Sequence, residues 1–377
     1  MDINRVIYEL KQNAVNLENS ICVVNNAVMT LDEIENLGWN EFGMRSKYNM
    51  PPKLYKYFPN FITIKEGKQE NYSIQALRDN TVYLSSPTEF DDVYDSDINL
   101  ELSEYEKYRL KHYCEICGLE FEEKDTPQEM EDAIIRKLFY IVREKGDLKQ
   151  ALIKEADSEL EKLSDELFVQ KMLVELANGN DFGKALSNVI VSDYSDFTKS
   201  LRESFRVACF TTTPFSQLMW GGSYADCHRG FCIEYSIPSD ISSYKDVFLN
   251  LFPLVYCKVR PEMSERLVRM QDKIYTNEAL WDIYFHGVLR KSIDWMYQNE
   301  WRLVLPRGID ADRDYNIKFF PISRVFIGNR MESEKRRDII DICNEKSIPY
   351  VGVTRNSSRY EMQACKFSCE ECQNIFP

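Results

Sequence analysis

The sequence predicts an α+β fold, a mixed and mainly antiparallel sheet core with a large helical insertion, and three observations carry that reading. Short runs rich in aromatic and β-branched residues, the composition of strands, cluster at residues 51–99 and again at 203–355. Between them, from about Leu100 to Arg202, the chain turns highly charged and follows a helical period. The 377 residues, 44% hydrophobic and 13% aromatic, are enough to bury one elaborated core or two modest ones.

Residues 1–50 read as an N-terminal helical extension that passes into a short mixed segment, "MTLDEIENLGW". Pro51 and Pro52 stop any helix, and Leu54-Tyr55-Lys56-Tyr57-Phe58 opens the first part of the core, residues 51–99, as an aromatic strand. "SIQALRDN" then reads as a short helix ending at Asn80, and "TVYLSSP" as a strand closed by Pro87. The insertion, residues 100–202, carries two capping-box signatures, Ser103 with Glu106 and Thr126 with Glu129. Ile134, Leu138, Ile141 and Val142 follow at helical spacing. The second part of the core, residues 203–355, holds "RVACF", "GFCIEY", "PLVYCKV", "EWRLVLP", "RVFIGN" and "PYVGV" as strands, with one long helical run from about Met263 to Tyr297. In "GFCIEY" the alternation of Phe231, Ile233 and Tyr235 with Cys232 and Glu234 predicts a half-buried strand that presents Glu234 on its second face. Residues 356–377 form a Cys-rich tail.

A formal net charge of −14 argues against a protein that grips nucleic acid over its whole surface, although it leaves room for a local basic groove. No run approaches the roughly 20 apolar residues of a membrane helix, and no signal-peptide core opens the chain. The expectation is a cytoplasmic protein with no membrane partner. Its eleven cysteines, scattered through apolar segments, read as small hydrophobes without disulfides.

Four stretches can carry chemistry. If the strand in "DWMYQNEWRLVLP" begins near Gln298, then Gln298, Glu300 and Arg302 share one face while Trp301, Leu303 and Leu305 point into the core. Glu300 then either hydrogen-bonds a ligand or pairs with Arg302. In "LMWGGSYADCHRGFCIEY", Gly221 and Gly222 permit a tight turn, Trp220 and Tyr224 offer stacking faces, and His228 is one of three histidines. The stretch is either a ligand pocket or a Gly-rich turn before a core strand. Ser85 and Ser86 sit at a strand end, followed by Asp91, Asp92, Asp95 and Asp97, which form either a metal site or a solvated turn. Cys114-x-x-Cys117 and Cys369-x-x-Cys372, with His112 and Cys365 nearby, have zinc-type spacing but lie at opposite ends of the chain, so no metal is assigned. Walker, G-x-G-x-x-G, H-E-x-x-H and G-x-S-x-G motifs are absent.

Taken in order, "LYKY", "VYLSSPTEFDDVYD", "LMWGGSYADCHRGFCIEY" and "KSIDWMYQNEWRLV" resemble a widespread bacterial family known as domain of unknown function twenty-nine seventy-one, across about residues 53 to 330. The chain has Gln298-Asn299-Glu300 where that family tends to have Glu-x-Glu. The family in turn resembles, at a distance, the ADP-ribosyltransferases. That likeness implies an ADP-ribosyltransferase-like fold, NAD as a substrate, Glu300 as the catalytic carboxylate and Gln298 as its acceptor-orienting neighbour. NAD contacts would come from Tyr55, Lys56 or Tyr57, from Ser85 and Ser86, and from Trp220, Tyr224 and His228. The activity so implied is that of a toxin or anti-phage effector acting on a protein or nucleic-acid acceptor, as a monomer or a homo-oligomer. Two other readings stay open. One is a ligand- or partner-sensing module in which Glu300 and Arg302 form a structural ion pair. The other is a metal-dependent nuclease built on Asp91, Asp92, Asp95 and Glu234.

Overall fold

The computed structural model of the chain describes residues 21–365, apart from positions 26, 31–32, 35–36, 38, 61–62, 66–67, 123, 146–170, 173, 176–177, 261, 272–283 and 308–314. Residues 1–20 of the expected N-terminal extension, and Cys369 and Cys372 of the tail, lie outside the described residues. The chain divides into two compact units. One comprises residues 1–96, 203–259 and 288–377, and the other residues 97–202 with 260–287.

In the first unit, strands numbered in chain order make an eight-stranded sheet. Its spatial order is β16 (Met362–Cys365), β15 (Tyr350–Arg355), β14 (Ile322–Ile327), β8 (Phe231–Ser236), β3 (Lys53–Phe58), β7 (Phe205–Thr211), β12 (Glu300–Pro306) and β9 (Leu251–Pro253). Every neighbouring pair is antiparallel except β14 with β15. A second sheet runs β11 (Arg290–Ser292), β10 (Val255–Cys257), β1 (Ile21–Val24) and β2 (Ala27–Thr30), with β10 and β11 parallel. Two short pairs complete the set: β13 (Asn316–Lys318) with β6 (Thr81–Tyr83), and β4 (Thr63–Lys65) with β5 (Lys68–Glu70). The protein is thus a mixed α/β structure with mixed sheets. "PLVYCKV" is two strands rather than one: the chain leaves the large sheet after Pro253 and joins the smaller one at Val255.

The large sheet is covered on both faces. On one, Leu54, Phe210, Ile233, Tyr235, Trp301 and Leu303 pack with Leu77 of the helix Tyr72–Asp79 and with Ile339 and Ile342 of the helix Ser333–Glu345. On the other, Tyr57, Cys232, Phe326 and Val353 pack around Trp220, which is fully buried. The double cover corrects the expectation for "GFCIEY". All of Phe231 to Tyr235 is buried, and Glu234 is held by Lys53 Nζ at 2.8 Å, the Tyr55 hydroxyl at 3.1 Å and the Ser323 hydroxyl at 2.7 Å. A second correction concerns the long helical run from Met263 to Tyr297. The helix Ser264–Gln271 is present, but strand β11 interrupts the run and a 3-10 turn, Ile293–Gln298, follows it.

The second unit packs the helices Leu102–Ile116, Pro127–Lys145, Phe182–Glu203 and Ser264–Gln271 around Tyr105, Tyr113, Ile134, Leu138, Leu186 and Val268. Thr126 and Glu129 form the expected reciprocal cap, with Thr126 N–H donating to Glu129 Oε2 at 2.8 Å and Glu129 N–H to Thr126 Oγ1 at 3.3 Å. Ser103 does not cap its helix, because the helix begins one residue before it and the N-cap position falls on Glu101. Cys114 and Cys117 are buried in the helical core.

Candidate functional site

The site is built where the two sheets of the first unit meet. The 3-10 turn ends at Gln298, and Asn299 takes a left-handed conformation (φ 44°, ψ 54°), which asparagine tolerates better than most residues. This reverses the chain so that Gln298 and Glu300 both reach Lys291 on β11: Lys291 Nζ donates to Gln298 Oε1 at 2.9 Å and to Glu300 Oε2 at 3.0 Å. Tyr256 on β10, the register partner of Lys291, accepts the Glu300 backbone N–H at 2.8 Å. On β12 itself, Arg302 Nε donates to Glu300 Oε1 at 2.7 Å.

Asp95 completes a quartet. Arg302 Nη2 meets Asp95 Oδ2 at 2.6 Å and Lys291 Nζ meets the same oxygen at 3.0 Å. Arg302 Nη1 donates to the Ser96 hydroxyl at 3.0 Å and to the Val288 carbonyl at 2.7 Å. Two carboxylates and two cations therefore sit together, with Glu300 5%, Asp95 3% and Arg302 0% exposed. Such a group is tolerable in a low-dielectric interior only when each charge is paired and hydrogen-bonded, as here. Burial alone would raise the Glu300 and Asp95 carboxyls, but the Arg302 and Lys291 charges outweigh it and hold both below the usual carboxylate range. Lys291 is likewise disfavoured by burial yet raised overall by Glu300 and Asp95.

Beside the quartet lies a cavity of about 460 Å³, within the size range of small-molecule sites. Glu300, Gln298, Lys291 and Asp95, with Glu89, Asp91 and Asp92, contribute polar wall, and Tyr55, Tyr57, Phe90, Tyr224, Trp295 and Tyr297 supply aromatic surface. Lys56 also borders it. Its amine donates to the Cys209 carbonyl at 3.1 Å and lies near the Phe58 and Phe210 rings, and burial lowers its pKa. The Gln298 amide donates to the Tyr224 hydroxyl, which ties the "GGSY" turn to the start of β12. Cys209, on the same wall, has its thiol pushed up to about 12 by burial and by the Glu300 charge, so it stays protonated.

Of the residues singled out in the sequence, Tyr55, Lys56, Tyr57, Asp91, Asp92, Asp95, Gly222, Tyr224, Gln298 and Glu300 are brought to this one cavity. Trp220, His228, Ser85 and Ser86 are placed elsewhere. Trp220 is a core residue whose indole N–H donates to the Pro214 carbonyl at 2.7 Å. His228 stacks on Trp220 at 6.3 Å and borders a second cavity. Ser85 forms a backbone bridge with Val207, and Ser86 caps the short turn Pro87–Glu89. Lys291, Tyr256 and the pairing of Asp95 are features the sequence reading did not assign. The only signal was the aspartate-rich run containing Asp95. Among the described residues, no group of three or more His, Cys, Asp or Glu is arranged to hold a metal.

Fold and site define a mixed α/β protein with a charged, aromatic-walled cavity. The family model described as Protein of unknown function (DUF2971) matches residues 219–303, and this stretch, which the chain shares with that family, contains Tyr224, Lys291, Gln298, Glu300 and Arg302. No curated protein and no solved structure matches the chain.

Proposed function

We propose that the cavity beside Glu300 binds NAD and that the chain is an ADP-ribosyltransferase-like enzyme acting on the nicotinamide-ribose bond. The observation that supports this most is an ionised carboxylate, fixed by two cations, in the wall of a cavity that also presents several aromatic rings. Cleaving that bond develops an oxocarbenium-like cation, which a carboxylate held without reorganisation stabilises. Arg302 and Lys291 fix Glu300 and keep it charged, Gln298 lies beside it, and Tyr55 and Tyr224 offer faces for a flat heterocycle. The acceptor is a macromolecule that can approach Gln298.

One observation favours a second reading, the ligand-sensing module. Both oxygens of Glu300 already accept from cations, as they would if the quartet only braced the cavity wall. The nuclease reading has less support: Asp91 and Asp92 border the cavity, but Asp95 is held by Arg302 and Lys291 and Glu234 by Lys53, Tyr55 and Ser323, and among the described residues no such group is arranged to hold a metal.

The test is nicotinamide release from NAD by the purified protein, with and without cell extract as acceptor, for the wild type and Glu300→Gln. The enzyme reading expects release that falls by about 100- to 1,000-fold in the variant, with its circular dichroism unchanged. NAD that binds without turning over supports the module instead. Neither binding nor turnover removes NAD from the account.

A further inference from the structure

We propose that the second cavity of the first unit binds the phosphate backbone of single-stranded nucleic acid. This inference does not depend on the reaction at Glu300. The cavity, about 550 Å³, is bordered by Arg330, Arg355 and Arg359, together with Tyr360. Among the described residues, Glu361 is the one carboxylate on its wall. It lies 3.7 Å from Arg359 with both side chains well exposed, a pair weak enough to exchange for a phosphate. Among the described residues no carboxylate pairs with Arg330. In a chain of net charge −14, Arg330 and Arg359 add positive charge to this wall, and local positive charge draws a polyanion.

Hydrogen bonds fix the backbone that carries Arg330 and Arg359. The turn between β15 and β16 is pinned by Asn356, whose side-chain oxygen accepts the N–H groups of Ser358 at 2.9 Å and Arg359 at 3.1 Å. The turn carrying Arg330 is drawn against the His228 loop by Arg330 N–H to the His228 carbonyl at 3.1 Å and by Gly328 N–H to the Gly230 carbonyl at 3.0 Å. A side chain at Gly328 would meet the His228 carbonyl at 2.1 Å, so only glycine permits the approach. Pre-ordering of this kind lowers the entropy lost on binding. Tyr360, 97% exposed and next to Arg359, presents a bare ring. Phosphate-directed guanidinium groups beside an exposed aromatic face are the chemistry that tracks an unpaired strand, with a base stacked on the ring. The cavity is too small to admit a duplex.

The test is fluorescence anisotropy of labelled single-stranded RNA and DNA, about twelve nucleotides long, with the full chain between about 50 and 200 mM salt. Three backbone contacts predict a slope of log K against log salt near −2. The triple variant Arg330→Ala, Arg355→Ala, Arg359→Ala should lose at least about 10-fold in affinity and most of that slope, and Tyr360→Ala about 10-fold with the slope kept. Undetectable binding, or a triple variant that binds like wild type, overturns the proposal. Calorimetric binding of inorganic phosphate or ADP in place of the oligonucleotide overturns it in favour of a small phosphorylated ligand.

Discussion

Replacing Arg302 with methionine should unmask the cost of the buried carboxylates. Arg302 is wholly buried and donates to four acceptors: Glu300, Asp95, Ser96 and the Val288 carbonyl. Removing one partner of a buried ion pair typically costs about 3–5 kcal/mol. Lys291 still reaches both carboxylates, which places this case near the lower end, at about 3 kcal/mol. At about 2–4 °C per kcal/mol, the Tm should fall by about 6–12 °C. The pH dependence carries a definite sign. In the native protein Asp95 and Glu300 have folded pKa values below their unfolded ones. Their stabilisation is therefore fully present above about pH 4 and lost as pH falls through the depressed values. Without Arg302, burial dominates and raises both carboxyls, so the deficit of the variant is largest near pH 8 and shrinks toward pH 5. Adding Glu300→Gln removes one buried charge and should recover about 1–3 kcal/mol. Urea unfolding followed through tryptophan fluorescence reads each value. A single variant within about 0.5 kcal/mol of wild type at both pH values, or a deficit that grows in acid, refutes the reasoning.

Two other substitutions probe the frame. A methyl group at Gly230 would lie 2.2 Å from the Phe58 carbonyl oxygen, so Gly230→Ala should cost about 3 kcal/mol or more, and an unchanged urea midpoint would contradict the packing described. Thr126→Ala should cost about 1 kcal/mol by removing a reciprocal cap, whereas Ser103→Ala should be nearly neutral, and equal losses by thermal denaturation would contradict the helix boundary at Glu101.

Much of the large sheet was legible because its strands are strongly aromatic or β-branched and short. "LYKYF", "RVACF", "GFCIEY", "EWRLVLP", "RVFIGN" and "PYVGV" all fall on its strands. Strand β11 was not legible. "RKS" has no apolar alternation, and its parallel pairing with β10 joins residues distant in sequence, which local periodicity does not report. That omission hid Lys291 and with it half of the site's positive charge. Asp95 was visible only as one of several aspartates, because its pairing with Arg302 spans 207 positions. For Glu300 the sequence left a ligand contact and an Arg302 pair as alternatives. The structure shows the Arg302 pair, and the same carboxylate borders the cavity. Alternation places Glu234 on the second face of a half-buried strand, but it does not report that both faces are covered.

The most direct test is a crystal structure of Glu300→Gln soaked with NAD, a variant chosen to slow turnover while leaving the cavity intact. The account predicts the nicotinamide riboside within the cavity bordered by Tyr55, Tyr224 and Gln298, its ribose against residue 300. Dinucleotide density elsewhere on the protein, or an unchanged cavity at saturating NAD, would contradict it.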